Sequence, residues 1–169
     1  MIATAFQQDI PELVALINSA YRGESSKQGW TTEADLIGGL RTDYDHLLEI
    51  LNDPNTTFLK YTDETGSIIG CVRLQQQEDK IYLGMLSVSP QLQAKGIGKQ
   101  LLQAADVHAR QQRCRAIFMT VFSLRPELIA WYERHGYQQT GETVPYHPNE
   151  KFEVAMTQEL VFLVLEKAI

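Results

Sequence analysis

Residues 80–122 limit the fold of this chain more than any other stretch. "KIYLGMLSVSP" (80–90) and "AIFMTVF" (116–122) are strand-like runs, and the second is apolar almost throughout, as in a strand buried on both faces. Between them, "KQLLQAADVHARQQRC" (99–114) sets Leu101, Leu102, Ala105 and Ala109 at helical spacing. A strand-helix-strand unit of this kind belongs to an α/β chain.

The other segments extend that unit. "TTFLKYTD" and "SIIGCVRLQQ" are β-rich runs joined by "ETG", the pattern of a hairpin. The first residues supply a further strand, and "DIPELVALINSAYRG" predicts a helix capped by Asp9, with Pro11 in its first turn and Gly23 at its end. Thr32 with Asp35 three residues on has the form of a capping box, predicting a short helix over "EADLIGGL". "DYDHLLEILND" predicts another, with Leu47, Leu48 and Leu51 near one face and Pro54 beyond its end. Downstream, "PELIAWYERHG" is a helix running from Pro126 to Gly136, and "YQQTGETV" and "ELVFLVLEKAI" give two last strands. With 169 residues, 44% of them hydrophobic, and neither a repeat nor a linker, one domain over residues 1–169 is expected.

Charge and cysteine usage narrow the function. A formal charge of -6 argues against a phosphate-backbone partner, which needs clustered Lys and Arg, so no nucleic acid is expected. "MIATAFQQDIPEL" lacks a basic region followed by an apolar run, and no stretch approaches the roughly 18–20 apolar residues of a membrane span. A cytoplasmic location without membrane association is the expectation. Cys71 and Cys114 stand far apart without metal-ligand spacing, which predicts reduced, buried or half-buried thiols and no metal.

The chemistry concentrates in "SPQLQAKGIGKQLL" (89–102), a glycine-bearing turn between strand and helix. A Walker loop fails there, because position 93 is Gln93 rather than glycine and Lys99 is followed by Gln100. A Rossmann fingerprint fails because Leu101 replaces its third glycine. What survives is a tight turn feeding a helix N-terminus, whose unpaired amides attract an anion such as a pyrophosphate.

The pattern Gln-x-x-Gly-x-Gly, present as Gln93-Ala94-Lys95-Gly96-Ile97-Gly98, resembles the acetyl-CoA signature of GNAT superfamily N-acetyltransferases. "AWYERHGYQQTGE", about thirty residues on, resembles the same family's second conserved segment, so the likeness covers roughly residues 80–142. It implies a mixed central sheet of about six to seven strands, flanked by about four helices and splayed in the middle. It also implies transfer of acetyl from acetyl-CoA to a primary amine through a tetrahedral intermediate. By the same resemblance, the amides of Ala94 through Lys99 hold the pyrophosphate, Gln93 to Lys99 form the cofactor turn, and Lys95 and Lys99 can add charge. The strand around Leu86 and Val88 splays from Thr120 and Val121 to admit the pantetheine arm, with the Leu86 amide facing the developing oxyanion.

Two departures from the family stand out. Relatives often carry a Glu on the motif strand, whereas no carboxylate occurs between Ile81 and Val88 and Tyr82 stands near the usual place. A lysine-like amine of pKa about 10.4 is neutral in only about one molecule in a few thousand at pH 7, so the base is left open between a carboxylate and a water relay. Arg125 replaces the Asn that many relatives place seven residues before the general acid, and it is assigned either to a CoA phosphate or to solvent. Tyr132 matches that general-acid position. Trp131, beside it, is assigned to core packing, and His46, His108 and His135 to helix surfaces or caps.

The acceptor groove implied by the fold is lined by "YRGESSKQGWTTEADL" and "VPYHPNEKFE", with Glu24, Trp30, Glu33, Tyr146 and His147 as candidate contacts. An acidic, aromatic lining suits a cationic amine, either a small molecule or a peptide or protein amine. A homodimer is left open. The rival reading is a noncatalytic acyl-CoA-binding module, for which the missing strand carboxylate is the best argument.

Overall fold

In the computed structural model, which describes residues 1–22, 26–27, 32–155 and 160–169, the hairpin forms between β3 (Thr56–Thr62) and β4 (Ile68–Gln77). Its turn closes at Gly66, whose φ of 85° suits a residue without Cβ. β1 (Ile2–Thr4) adds on one side and β5 (Lys80–Val88) on the other, both antiparallel. β6 (Ala116–Phe122) then pairs parallel with β5, and β9 (Val161–Ala168) and β7 (Gln138–Pro145) complete a mixed seven-stranded sheet of order β1-β3-β4-β5-β6-β9-β7.

Helices cover both faces because strand side chains alternate. On β4, Cys71 packs with Ile10, Leu13 and Ile17 of α1 (Ile10–Tyr21) and with Leu47 and Ile50 of α2 (Tyr44–Asn52). Its neighbour Val72 packs with Leu101, Leu102 and Ala105 of α3 (Ile97–Gln111) and with Leu128 and Ile129 of α4 (Pro126–Arg134). Gly70 permits this closeness, since a Cβ there would stand 3.0 Å from Ile97 and 3.2 Å from Leu101. Both cysteines are buried free thiols. None of the described helices is long and apolar enough to cross a membrane.

Three local readings are corrected. Residues 33–40 form no helix: a turn leads into β2 (Ile37–Gly39), which pairs antiparallel with β8 (Glu153–Ala155) in a separate two-stranded sheet. Two successive glycines are poor helix formers, and Gly39 takes φ 80° with its backbone against the Phe152 carbonyl. Thr32 Oγ1 accepts from the Ala34 amide, two residues on, which makes a turn rather than a capping box. Secondly, Asp9 does not cap α1 through its side chain; it accepts from the Phe6 amide and pairs with Lys60 Nζ at 2.9 Å. Thirdly, His46 is half-buried, its ring 5.2 Å from that of Phe152 and 2.9 Å from Thr42 Oγ1. The expected helix end at Gly23 lies outside the described residues.

The sheet splits along β5. β5 and β6 pair only at Lys80–Ala116, Ile81–Ile117 and Tyr82–Phe118. Beyond that point, the register with β4 shifts from Arg73–Gly84 to Cys71–Ser87, leaving Met85 and Leu86 opposite Val72 alone. This is a β-bulge, and Met85 adopts φ 50° within it. The bulge turns the end of β5 away from β6.

Leu101→Ala removes a fully buried side chain between α3 and the sheet. We expect a loss of about 2–5 kcal/mol in urea unfolding with an unchanged m-value.

Candidate active site

The glycine turn is shaped by its backbone. Gln93 Nε2 donates to the Val88 carbonyl (3.1 Å), tying the turn to the strand before it. Ala94 and Gly96 both take left-handed φ values, 70° and 82°, which fold the chain back into α3. Gly96 is the N-cap and offers no side-chain cap, so the first amides of α3 remain available to a ligand. A Cβ at Gly96 would meet nothing within 4 Å, whereas one at Gly98 would stand 3.3 Å from the Trp131 ring. These features border a cavity of about 260 Å³ walled by Leu86, Val88, Gln93, Ala94, Gly96, Ile97, Gly98, Lys99, Trp131 and Tyr132, among others.

A second cavity, of about 240 Å³, opens on the other side of the splay. Its walls include Tyr21, Glu33, Arg41, Tyr82, Arg125, Tyr146, His147 and Glu153. Leu86, Leu128 and Tyr132 belong to both cavities. A ligand in one cavity therefore meets a ligand in the other at the splayed end of β5. The Tyr21 hydroxyl donates to the Leu86 carbonyl and fixes the backbone at that junction.

Ion pairing organises the second cavity. Arg22, just past α1, is buried and bridges Glu33 (2.5 Å) and Glu153 (2.6 Å). It joins the end of α1, the turn before β2 and the start of β8. Arg125, at the N-cap of α4, donates to the Thr32 carbonyl and clips the same turn.

Burial pushes the Tyr132 hydroxyl well above the usual tyrosine range, with Tyr21 and Tyr137 adding to the shift. Tyr21 is raised mainly by burial and further by Glu33, with Arg41 opposing. Burial, followed by the charge of Glu153, pushes Tyr146 up to about 12. All three remain protonated at neutral pH.

Of the residues singled out from sequence, Leu86, Val88, Gln93, Ala94, Gly96, Ile97, Gly98, Lys99 and Tyr132 share the glycine-turn cavity. Lys95 is exposed beside that cavity and outside its lining. Arg125 lies in the other cavity, together with Glu33, Tyr146 and His147. Glu24 and Trp30 lie outside the described residues. Trp131 packs on the core as expected and also walls the glycine cavity. Sequence reasoning placed Tyr21, Arg22 and Glu153 within the two groove segments without singling them out as contacts, and it passed over Arg41. Only Arg22 carried a signal, being a charge at the end of an apolar helix face.

A model described as the acetyltransferase (GNAT) family matches residues 12–137. Over 144 residues the chain is 27% identical to the mycothiol acetyltransferase of Propionibacterium freudenreichii, a match covering 83% of this chain. That match spans 43% of the relative, less than half of its length. Among solved structures, the ribosomal-protein-S18-alanine N-acetyltransferase of Escherichia coli superimposes with a TM-score of 0.74 at 14% identity, over 100% of this chain and 93% of that one. The PaiA N-acetyltransferase of Thermoplasma acidophilum, in complex with coenzyme A, gives 0.72 at 17% identity, over 100% and 98%. At these identities the likeness to both is one of fold.

Arg22→Ala would strand two largely buried carboxylates. We expect a loss of about 3–5 kcal/mol in chemical denaturation, with Arg22→Lys recovering only part because one ammonium cannot reproduce the guanidinium fork.

Proposed function

The chain belongs to the acetyltransferase (GNAT) family, and from that premise we propose that residues 1–169 are one acetyltransferase domain, moving acetyl from acetyl-CoA to a primary amine. The observation that carries the proposal is the meeting of two cavities at Leu86 and Tyr132. One has an uncapped helix N-terminus suited to a pyrophosphate, and the other is lined for a polar acceptor. Left-handed Ala94 and Gly96, with open space over Gly96, fit close approach of an anion to the backbone.

In this reading, the amides of Ala94 through Lys99 hold the pyrophosphate, with Lys95 and Lys99 adding charge, and the pantetheine arm lies in the gap between Val88 and Val121. The neutral amine attacks the thioester carbonyl from the second cavity, the Leu86 amide receives the oxyanion, and the C–S bond breaks to release a thiolate. Tyr132 donates a hydrogen bond to that thiolate. Full proton transfer from an ordinary tyrosine to a thiol of pKa about 8.5 runs uphill by roughly 2 kcal/mol, and burial of Tyr132 steepens the slope. The amine proton leaves through water toward Glu33, a carboxylate in the acceptor cavity that takes the place of the one missing from β5. Arg125 belongs with the acceptor side. Its bond to Thr32 makes it a wall of that cavity.

The absence of a carboxylate from Ile81 to Val88 favours one rival, an acyl-CoA-binding module without turnover. Calorimetric titration with acetyl-CoA is expected to give micromolar binding to the wild type and none to Gly98→Glu, whose side chain would fill the turn and repel the pyrophosphate. No binding to the wild type would remove the proposal. Tight binding with no turnover across a broad amine panel would favour the rival. Tyr132→Phe should lower kcat by about 10- to 100-fold, the worth of a hydrogen bond to a charged group, with acetyl-CoA affinity nearly intact. An unchanged kcat would make Tyr132 a packing residue.

A further inference from the structure

The acceptor cavity holds more positive than negative charge once its ion pairs are counted. Its carboxylates, Glu33 and Glu153, both engage Arg22, and the remaining Glu153 oxygen accepts from the Asn149 amide at 3.1 Å. Arg41 lines the same cavity and pairs with no carboxylate among the described residues. Its guanidinium carbon instead lies 5.8 Å from the centroid of the Tyr21 ring. Nearby, Arg73 is also without an ion pair among the described residues, its Nε buried with no hydrogen-bond partner and its guanidinium 5.7 Å from the Tyr82 centroid. Both guanidinium groups act on His46 in the same direction, lowering its affinity for a proton along with its burial.

A guanidinium in the wall of a half-enclosed cavity, paired with no carboxylate among the described residues, is a ready partner for an anion. Arg41 is also held ready. Asn18 Oδ1 accepts from the Arg41 and Thr42 amides (2.7 and 3.1 Å), and Asn18 Nδ2 donates to the Thr42 carbonyl (3.0 Å). The backbone that carries the guanidinium is thus pinned to α1.

Resting on the acetyltransferase reading, we propose that the acceptor is an amino-acid-type molecule whose carboxylate sits on Arg41 while its amine points to Leu86. Tyr21 sets the geometry: its ring lies under the Arg41 guanidinium and its hydroxyl bonds the Leu86 carbonyl, so one tyrosine side chain separates the anion site from the reacting backbone. An amine two or three bonds from a carboxylate carbon, as in an α- or β-amino acid, fits that span. Glu33 faces the ammonium end, its second oxygen receiving no hydrogen bond among the described residues. The planar guanidinium matches a carboxylate in a two-bond fork, which an amide or a bare amine cannot reproduce. Polyamines fit this cavity poorly, because Arg41 repels a second cation.

The test measures thiol release from acetyl-CoA with the twenty common L-amino acids, their α-carboxamides, the corresponding decarboxylated amines and spermidine, after calorimetry has established acetyl-CoA binding to the wild type. The expected result is that at least one free amino acid is acetylated with kcat/KM about thirtyfold or more above its own amide. Arg41→Gln should erase that preference, and Arg41→Lys, which keeps the charge without the fork, should retain part of it. Matching urea midpoints for the variants would show that they fold. Loss of acetyl-CoA binding in the wild type would remove the transferase reading and this inference with it. Intact acetyl-CoA binding with amides or spermidine used as well as acids, with no amino acid used at all, or with Arg41→Gln slowing acids and amides equally, would overturn this inference alone.

Discussion

The geometry of the site depends on the β-bulge at Met85–Leu86. Parallel strands that run side by side satisfy one another's amides and carbonyls, and a buried backbone group left without a partner costs roughly 1–3 kcal/mol. In this chain the β5–β6 pairing stops after three residues, and the bulge in the β4–β5 ladder is the reason. The opening tolerates that cost in part because Tyr21 reaches across from α1 to bond the Leu86 carbonyl. The same opening separates two cavities that a continuous sheet would have closed. Strain at Met85, a non-glycine residue at φ 50°, is held by the packed strands around it.

Arg22 does for the acceptor side what the bulge does for the sheet. β2 and β8 are three residues each and, among the described residues, pair only with one another, too little to hold a wall in place by backbone bonds alone. The guanidinium ties both to the end of α1 through its two carboxylates. A buried ion pair of this kind adds little net stability over apolar packing, but it fixes direction, since each carboxylate has one place to bond. That direction determines which charges are left to face an acceptor. Glu33 and Glu153 look acidic in the sequence, yet both engage Arg22, and Arg41 in the same cavity pairs with no carboxylate among the described residues.

The parts of the molecule that the sequence revealed are those built from local pattern. The seven strands of the main sheet and the helices over residues 10–21, 44–52, 97–111 and 126–134 follow from apolar periodicity, prolines and glycines, as does the turn at Gly96 and Gly98. The segment over residues 33–40 was misread because Thr32 and Asp35 imitate a capping box, while its partner, β8, lies more than a hundred residues away. No local pattern encodes that pairing. The acceptor wall was half legible: Glu33, Tyr146 and His147 stood out by residue type, but Arg41 reads as an ordinary loop arginine until the Asn18 clasp and the Tyr21 ring give it a place. Arg125 shows what spacing alone leaves open: its distance from Tyr132 along the chain allowed a CoA phosphate or solvent, and the fold sets its guanidinium on the Thr32 carbonyl in the cavity lined by Glu33 and Tyr146.

On the proposed mechanism, the raised Tyr132 hydroxyl decides which proton limits the reaction. A thiolate leaving with pKa about 8.5 is tolerable at neutral pH with a hydrogen bond alone, so protonating it need not coincide with C–S cleavage. The amine starts mostly protonated at neutral pH, and removing that proton is the larger demand. Any environment that stabilises the ammonium makes this harder, and an anion beside the amine does so unless its charge, like that of Glu33, is already balanced by an arginine. The arginines of the acceptor cavity work in the opposite direction. By neutralising the acceptor's own carboxylate and adding positive potential near its nitrogen, Arg41 lowers the cost of forming the neutral amine. The charge that selects the acceptor would thereby also prepare it to react, which a purely acidic groove could not do.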